Sequence, residues 1–441
     1  DAYMLDTNVA NDIHYKLGRA YHLNYQFDKA YKEYNTYRFS MVKENKMLVL
    51  SKEVVRHMKE CKNGIELMKN PVKVQIENLG PAINTKDSEY SPIITADESR
   101  LYFVSRRKTT TGGGKDFHDK KHYEDIYYSQ NENGTWLEAI NIATPVNSEA
   151  HDAITGTSPD GKQLIIFRPN VVCGDLYLSQ LNGYKWTEPD VLPKIINADK
   201  NESSATFTYD GSTLYIVSSR EYDTHGARDI FICNKDDKGK WKRPENIGRV
   251  VNTAFDEVSV FLHPDGRTLF FSSRGHNTMG GYDIFRTTRK KDGTWTLPVN
   301  LGYPVNTPED EIFFSLTADG KHGYIASSRD DSYGETDIYR VYFLNDTHKY
   351  HTTLVKGEVY NKMTSKPMEV IIEVKDKSSG KTLFTVRSGI YSGKYLLALP
   401  SGKNYTITFK AEGFTPETRH FEIPENREYQ EIIENIGMIQ P

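Results

Sequence analysis

The chain has 441 residues, of which 37% are hydrophobic and 26% charged, and its formal net charge is −4. A chain of this length is too long for one hydrophobic core, so about two to four domains are expected. The charge balance lacks the basic excess that a nucleic-acid partner requires, and no apolar run approaches the ~18 residues of a membrane-spanning helix.

Residues 1–70 are predicted to form a helical segment. Apolar and aromatic residues recur at helical spacing, and the Leu-Gly-x2-Tyr motif at Leu17 and the Ala-x3-Tyr motif at Ala30 fit the tetratricopeptide (TPR) pattern. A third apolar stripe runs through residues 54–68 and ends before Pro71. One such repeat cannot bury its own apolar face, so we expect either further repeats ahead of the chain or docking on the next domain.

A pattern of Asn, an acidic residue five positions later and Asp eight positions after that occurs five times between residues 84 and 319. Each copy continues into a turn, a short apolar strand and a second strand that opens with Asp. A strand carrying tryptophan follows in four copies, at Trp136, Trp186, Trp241 and Trp295. Four short strands per unit, repeated around a ring, are typical of a β-propeller. We therefore predict a five-bladed propeller over residues 71–346, with each tryptophan packed between neighbouring blades.

The fifth copy has no tryptophan strand of its own. Residues 72–80 supply a candidate, because Asn78-Leu-Gly80, six residues before the first repeat Asn, matches Asn300-Leu-Gly302 in the same position before the fifth. We predict that this early segment forms the fourth strand of the last blade. Such closure removes two open sheet edges that would otherwise favour aggregation.

The acidic residue of the repeat occupies one position on the innermost strand of every predicted blade. These residues are Glu89, Asp152, Glu202, Glu257 and Glu311. We expect them to form a ring that faces the central channel or lies just beside it. Like charges at close range need counterions or raised pKa values. One hypothesis is that they pair with recurring arginines and join the blades, and the other is that the ring binds a cation or a basic peptide end. The arginines in question are Arg106, Arg220, Arg274 and Arg329.

The first copy contains an insertion between Arg106 and Asp125. Its residues Asp116, His118, Asp119 and His122 include the ligand types of a metal site, but the polar, glycine-rich sequence favours a solvated surface loop. We therefore predict no metal site.

Sequence signatures of catalysis are missing. There is no GxSxG, HExxH or Cys–His pattern, and the Gly-Thr-Trp at Gly293 lacks the serine that opens a sialidase Asp box. Cys61, Cys173 and Cys233 are too far apart for a disulfide framework or a CxxC site, which leaves buried thiols or one bridge from Cys173 to Cys233. The sequence predicts no catalytic residue, no cofactor and no enzymatic activity.

Residues 352–436 lack the repeat and show a different pattern of apolar residues. Alternating apolar residues occur in several short stretches, such as 354–360 and 405–409, and Ser-Gly turns separate them about every ten residues. This spacing predicts a small β-sandwich. The predicted fold is therefore multidomain and mainly β, with a helical N-terminal segment.

The three modules in this order resemble OmpA-family envelope lipoproteins associated with type IX secretion (PorE-like). The resemblance is carried by residues 61–71 and 89–99 at the helical–propeller junction, which suggest a TolB-type propeller. It is also carried by residues 355–359, 399–405 and 411–414, which are similar to a transthyretin-like carboxypeptidase regulatory-like domain.

The resemblance implies a non-enzymatic periplasmic scaffold that mediates protein–protein contacts in type IX secretion or gliding machinery. It also implies association with the outer membrane through a lipid anchor, and with peptidoglycan through an OmpA-like C-terminal domain. Neither a lipobox cysteine nor a peptidoglycan-binding motif is visible in this chain. The alternative is a ligand- or glycan-binding receptor that uses the mouth of the channel.

Overall fold

The structure is a computed structural model that describes residues 12–43, 50–170, 173–198 and 200–441. Its N-terminal part consists of three helices, α1 Asp12–Leu23, α2 Phe27–Lys43 and α3 Leu50–Lys69. Glycines allow close packing between these helices, since a Cβ atom added to Gly18 would lie 2.7 Å from the ring of Tyr34, and one added to Gly64 would lie 2.5 Å from the ring of Phe27. None of the three described helices combines the length and apolar character needed to cross a bilayer.

Five antiparallel sheets follow, each built around three main strands. The first contains β2 Glu89–Ile94, β3 Arg100–Ser105, β4 Asp125–Glu132, β5 Thr135–Trp136 and β6 Ile140–Asn141. The second contains β7 Ala153–Thr157, β8 Gln163–Arg168, β9 Asp175–Asn182, β10 Lys185–Trp186 and β11 Asp190–Val191. The third contains β12 Glu202–Phe207, β13 Thr213–Ser218, β14 Asp229–Asn234 and β15 Glu245–Asn246. The fourth contains β16 Glu257–Leu262, β17 Thr268–Ser273, β18 Asp283–Thr288 and β19 Val299–Asn300.

The fifth sheet combines the two ends of this region. It contains β20 Phe314–Leu316, β21 His322–Ser327, β22 Asp337–Phe343 and the early strand β1 Val74–Asn78. Strand β1 is antiparallel to β22, in a register that runs from Val74 opposite Phe343 to Asn78 opposite Tyr339. The early segment thus supplies the strand that the fifth repeat lacks.

The innermost strands β2, β7, β12, β16 and β20 contact one another in succession around a ring. The hydroxyl of Ser91 donates to the carbonyl of Ile154 over 2.6 Å, and Ser259 donates to the carbonyl of Ile312. On the remaining sides, Val260 N–H donates to Ser204 and Ile94 N–H to Ser315, each over 3.3 Å. Strands β7 and β12 approach closely at Gly156, where an added Cβ atom would lie 2.6 Å from the carbonyl oxygen of Ala205. The inner strands are therefore in direct contact with their neighbours around the ring.

The tryptophans lie between adjacent sheets. Trp136 makes an edge-on contact with Tyr324 of the fifth sheet, with 6.0 Å between ring centroids, and Trp295 does the same with Tyr215 of the third sheet at 5.9 Å. Trp186 contacts Tyr102 of the first sheet at 6.5 Å, and Trp241 packs on the cluster that contains Ile165 of the second. Trp136, Trp186 and Trp295 therefore each contact the second strand of the preceding sheet.

The C-terminal part consists of two sheets that face each other. One contains β23 Thr352–Asn361, β26 Lys394–Pro400, β29 Gln430–Ile433 and β30 Ile436–Met438. The other contains β24 Ile371–Asp376, β25 Thr382–Arg387, β27 Lys403–Lys410 and β28 Glu417–Ile423. Val359 and Leu397 from the first sheet and Ile372, Ile407 and Phe409 from the second belong to one buried cluster. We refer to these residues, 352–438, as the sandwich.

The sandwich covers one end of the ring. Leu354, Leu396 and Ala398 of the sandwich share a buried cluster with Ala96 and Ala318, which lie in turns between the first and second strands of their sheets. In an antiparallel unit these turns all lie at the same end, whereas the connections between the second and third strands lie at the other.

The helices pack at that other end. His22 donates from Nε2 to the carbonyl of Met279 over 2.8 Å, and Asn63 donates to the carbonyl of Thr278 over 2.8 Å. Met279 lies in the connection from β17 to β18, and its side chain is buried in the helical core beside Phe27. The helices thus bury their apolar face against the fourth sheet instead of leaving it open.

Candidate functional site

The five repeat carboxylates are fully buried, with no exposed surface on any of them. Three of them, Glu89, Glu202 and Glu257, are the first residues of β2, β12 and β16. Asp152 lies directly before β7, and Glu311 lies three residues before β20. Their oxygens accept hydrogen bonds from their own sheet. Because they lack exposed surface, they do not face an open channel, and of the two expected placements the one just beside the channel is compatible with their burial.

Two hydroxyl-bearing positions of the repeat donate to these carboxylates. In four copies the residue after the repeat Asn donates from both its backbone N–H and its side chain, as Thr307 does to Glu311 with both distances at 2.8 Å, whereas the third copy has Ala198 there. A serine at the end of the second strand donates as well, as Ser273 does to Glu257 over 2.8 Å and Ser218 to Glu202 over 2.7 Å. The carboxylate therefore ties the incoming loop, the first strand and the second strand together.

The arginine partners are only partly those that the sequence predicts. Arg220 is 2% exposed and lies 3.1 Å from Glu202, as expected. Glu89, however, pairs with Arg107 at 3.1 Å, while Arg106 makes a two-pronged contact with Asp119 at 2.6 and 3.1 Å. The physical reason is strand periodicity: alternate side chains point the same way, so the arginine that shares a side with Ser105 is Arg107, two residues on.

The same register slip affects the fourth copy. Arg274 lies over the ring of Tyr282 at 4.3 Å and 4.0 Å from Asp310, and it does not reach Glu257. The position two residues after Ser273 is Gly275, so among the described residues Glu257 has no arginine partner. Arg329 has the correct register but donates to the carbonyls of Pro304 and Val305 at 3.1 and 3.2 Å, although its charge lowers the pKa of Glu311.

In the second copy, Arg168 takes the place of the serine and contacts Asp152. The pairs that form between arginines and repeat carboxylates each lie within one sheet, and they are Arg107–Glu89, Arg168–Asp152 and Arg220–Glu202. These pairs do not join neighbouring sheets, contrary to the first hypothesis. Arg274 instead contacts Asp310, which lies in the loop that leads into the fifth sheet.

The Asn that opens each repeat also joins neighbouring sheets, a role that the sequence analysis does not assign to it. Its side-chain amide makes two hydrogen bonds to the backbone of one residue at the start of the third strand of the preceding sheet. The amide oxygen accepts from the N–H of that residue, and the amide nitrogen donates to its carbonyl. For Asn306 these bonds go to Ile284, at 2.8 and 2.9 Å. The same two bonds occur at Asn84, Asn147, Asn197 and Asn252. We call this feature the asparagine clamp.

A second asparagine, six residues earlier, supports the clamp in four copies. Asn300 accepts from Asn306 over 2.8 Å and donates to Asp283 over 2.7 Å. The equivalent residues are Asn78, Asn141 and Asn246. Asp283 is the Asp that opens the third strand, and its full burial raises its pKa well above the usual range. The signal was present in the sequence as Asn-x5-Asn, but only the fold shows that the pair spans two sheets.

Burial also raises the pKa of all five repeat carboxylates, that of Glu257 to about 8 and those of Glu202 and Glu311 to about 7. Hydrogen bonds to each carboxylate act in the opposite direction, as does the nearby arginine of Glu202 and Glu311. Glu257 has no such arginine among the described residues, and burial is the main cause of its raised pKa. Glu202, Glu257 and Glu311 titrate near neutral pH, which is characteristic of functional sites but also of buried structural networks.

The corrected register yields a matched test of the pairing. Arg107→Ala leaves the buried Glu89 without its cation, and we expect it to lower the free energy of unfolding by about 2–3 kcal/mol. Arg106→Ala removes a pair whose Asp119 is exposed, and we expect a loss of less than about 1 kcal/mol. Urea denaturation of both variants checks this, and equal losses would contradict the assignment of Arg107.

Three of the four candidate metal ligands of the insertion, Asp116, Asp119 and His122, contact protein groups. His151 lies between Asp116 at 2.9 Å and Glu124 at 3.1 Å, and Asp119 is taken by Arg106. Within the described ranges, one group with metal-ligand geometry exists, formed by His22, His57 and Glu60 in the helical part. Its histidines bond to protein groups outside it: His22 donates to the carbonyl of Met279 over 2.8 Å, and His57 Nε2 lies 3.3 Å from the hydroxyl of Tyr15.

The structure distinguishes between the two alternatives for the cysteines, free thiols or a bridge from Cys173 to Cys233. Cys61, Cys173 and Cys233 are all free thiols, and Cys61 and Cys233 are buried. Burial raises the pKa of Cys233 to about 11, so its thiol stays protonated at neutral pH.

Comparison with known proteins gives fold similarity only. No protein-family model and no curated protein match the chain. Among solved structures, a glycoside hydrolase is similar with a TM-score of 0.44 and 10% identity over 64% of this chain and 94% of that one. TolB from Acinetobacter baumannii is similar with a TM-score of 0.35 and 15% identity over 67% and 71%, respectively. An α-L-arabinanase from Penicillium chrysogenum has a TM-score of 0.34 and 11% identity over 62% and 97%.

These neighbours include TolB-type β-propeller-like proteins, and the sheet arrangement described above is that of a propeller domain. They also correct one prediction. The expectation that the chain is not an enzyme is contradicted, because a glycoside hydrolase and an arabinanase are among the chains of similar structure. Likenesses of this degree assign no reaction to this chain. The resemblance to OmpA-family lipoproteins of type IX secretion finds no matching family and remains a prediction.

Proposed function

We propose that the chain is an envelope scaffold in which a closed five-bladed propeller holds two other modules at fixed positions. The five sheets would be the blades, the helices a TPR-like module, and the sandwich a transthyretin-like, carboxypeptidase regulatory-like domain. The function would be to bring together protein partners that bind the outer modules.

The observation that carries this proposal is the placement of the modules at opposite ends of the ring. The helices are attached through His22 and Asn63 to the carbonyls of Met279 and Thr278. The sandwich is attached at the other end, where Tyr350 packs beside the turn at Gly320. Both ends of the propeller are thus partly covered by other parts of the same chain, and hydroxyl–backbone bonds link neighbouring inner strands around its centre. This arrangement favours recognition by the outer surfaces over recognition inside the channel.

The compartment and the partners are proposed from the sequence resemblance. We infer a periplasmic location and partners among the secretion or gliding machinery. On the same resemblance, we infer association with the outer membrane and with peptidoglycan.

Site-specific photo-crosslinking in the native host tests the proposal. The helical and sandwich modules each carry an exposed aromatic residue, Phe39 at 61% and Tyr391 at 75% exposure, where a photoreactive phenylalanine analogue is tolerated without disturbing a core. We expect covalent adducts with secretion or gliding components at one or both positions, with unirradiated cells as the control.

The competing receptor function predicts a different result. Absence of envelope-protein adducts at both positions, together with a rise in melting temperature on adding glycans, would replace the scaffold proposal by a ligand-binding receptor.

A further inference from the structure

The insertion of the first sheet builds a strongly cationic cleft. The cleft has a volume of about 520 Å³, which lies within the range of small-molecule sites. Six lysine and arginine residues line it, against two carboxylates, Asp87 and Glu335. The cations are Lys86, Arg106, Lys108, Lys115, Lys120 and Lys121. This excess of positive charge contrasts with a chain whose overall net charge is −4.

Few of these charges are neutralised by the protein itself. Arg106 pairs with Asp119, a carboxylate adjoining the cleft, and Lys121 pairs with Glu335. Lys120 lies 4.1 Å from the centre of the Phe117 ring. For Lys86, Lys108 and Lys115, the described part of the chain provides no ion pair. Like charges held together in a concavity raise the local potential and attract an anion.

The loop that carries these lysines is folded rather than irregular. Lys115 and His122 form an antiparallel bridge, and Asp116 N–H donates to the carbonyl of Lys121 over 2.9 Å. On one side Asp116 contacts His151, and on the other Arg106 holds the carbonyl of His122 over 2.8 Å. The loop is therefore held in place on both sides, and it presents its lysines toward the cleft rather than spreading them through solvent.

We propose that this cleft binds a phosphate-bearing anion. Lysine ammonium groups suit phosphate because they act as compact point charges with three donors, and Arg106 contributes a further cation. Several phosphate charges, as in a diphosphate or a phosphate monoester, would match three lysines that lack protein partners. The same chemistry is offered by a soluble phosphorylated compound and by the headgroup of an anionic lipid.

Calorimetric titration with inorganic pyrophosphate tests the proposal. We expect binding to the intact chain that weakens as salt is raised, since exposed ammonium groups are screened. Lys108→Ala with Lys115→Ala should weaken it by about ten-fold or more, equivalent to roughly 1.4 kcal/mol. The matched control is Lys238→Ala with Lys240→Ala, exposed lysines of the third sheet, and it should bind like the wild type.

Flotation with phosphatidylcholine vesicles, with and without phosphatidic acid, separates the two sources. Flotation that depends on phosphatidic acid and on Lys108 and Lys115 identifies a lipid headgroup, whereas pyrophosphate binding without flotation identifies a soluble ligand. No binding of either, or equal weakening by the control pair, would overturn the proposal. Because the readout is anion binding, its failure leaves the crosslinking test of the scaffold function unaffected.

Discussion

Replacing Asn306 by alanine is expected to lower the free energy of unfolding by about 3–5 kcal/mol. Asn306 is fully buried and makes two hydrogen bonds to Ile284 and one to Asn300. Alanine leaves the N–H and carbonyl of Ile284 without partners at a buried position, and each unsatisfied group costs about 1–3 kcal/mol. Chemical denaturation of the purified chain measures the loss.

The control for this prediction is Asn345→Ala, at an exposed position, for which we expect a change of less than about 0.5 kcal/mol. A loss at Asn306 no larger than at Asn345 would show that the asparagine clamp does not hold the fourth and fifth sheets together.

Stability should fall as pH rises from about 5 to 8, in part because of Glu257. Its pKa is raised in the folded state to about 8, against roughly 4.3 for an unfolded glutamate. Between these values the folded state binds more protons than the unfolded state, so the free energy of unfolding decreases with pH. Glu311 and Glu202, each near 7, act in the same direction below neutral pH.

Glu257→Gln should flatten this profile. The amide carries no charge at any pH, so we expect the variant to gain roughly 2–5 kcal/mol relative to wild type at pH 8 and little at pH 5. Glu138→Gln, at an exposed position, is the matched control and should leave the slope unchanged. Parallel pH profiles for Glu257→Gln and wild type would mean that Glu257 is ionised in the folded state without penalty. Denaturation midpoints across this pH range provide the measurement.

Much of the fold could be predicted because the sequence repeat indicates the number and order of the strands. Each repeat contains an Asn, an acidic residue and an Asp at constant spacing, such as Asp97 in the first copy. This spacing marks where the first strand begins and where it turns, and it is the same in all five copies. The early segment around Asn78 was found by matching it to Asn300, and it lies in the fifth sheet as β1.

The site was harder to predict because it depends on the side of the strand to which each side chain points and on contacts between sheets. A difference of one residue decides whether Arg106 or Arg107 faces Glu89, and the Ser-Arg motif alone does not show which one does. The clamp spans two sheets, so the partner of Asn306 is Ile284, a residue of ordinary appearance whose backbone carries the bonds. Such a role cannot be read from composition or spacing.

The cationic cleft was also hidden in the sequence. The insertion reads as a polar loop, and only its position beside Lys86 and Glu335, from distant parts of the chain, creates the cleft. In the sequence, the histidines and aspartates of the insertion suggest a metal site, whereas its lysines indicate no particular ligand.

Closure of the ring by the early strand is the central claim, and disulfide trapping tests it most directly. Gln75 lies opposite Tyr342 in the antiparallel register of β1 and β22, and directly opposed residues bring their Cβ atoms to about 4.5–5.5 Å. In a Cys173→Ser background, Gln75→Cys with Tyr342→Cys should oxidise to an intramolecular disulfide, whereas Gln75→Cys with Arg340→Cys, displaced by two residues, should not. A disulfide in the displaced pair, or none in the opposed pair, would contradict the closed ring.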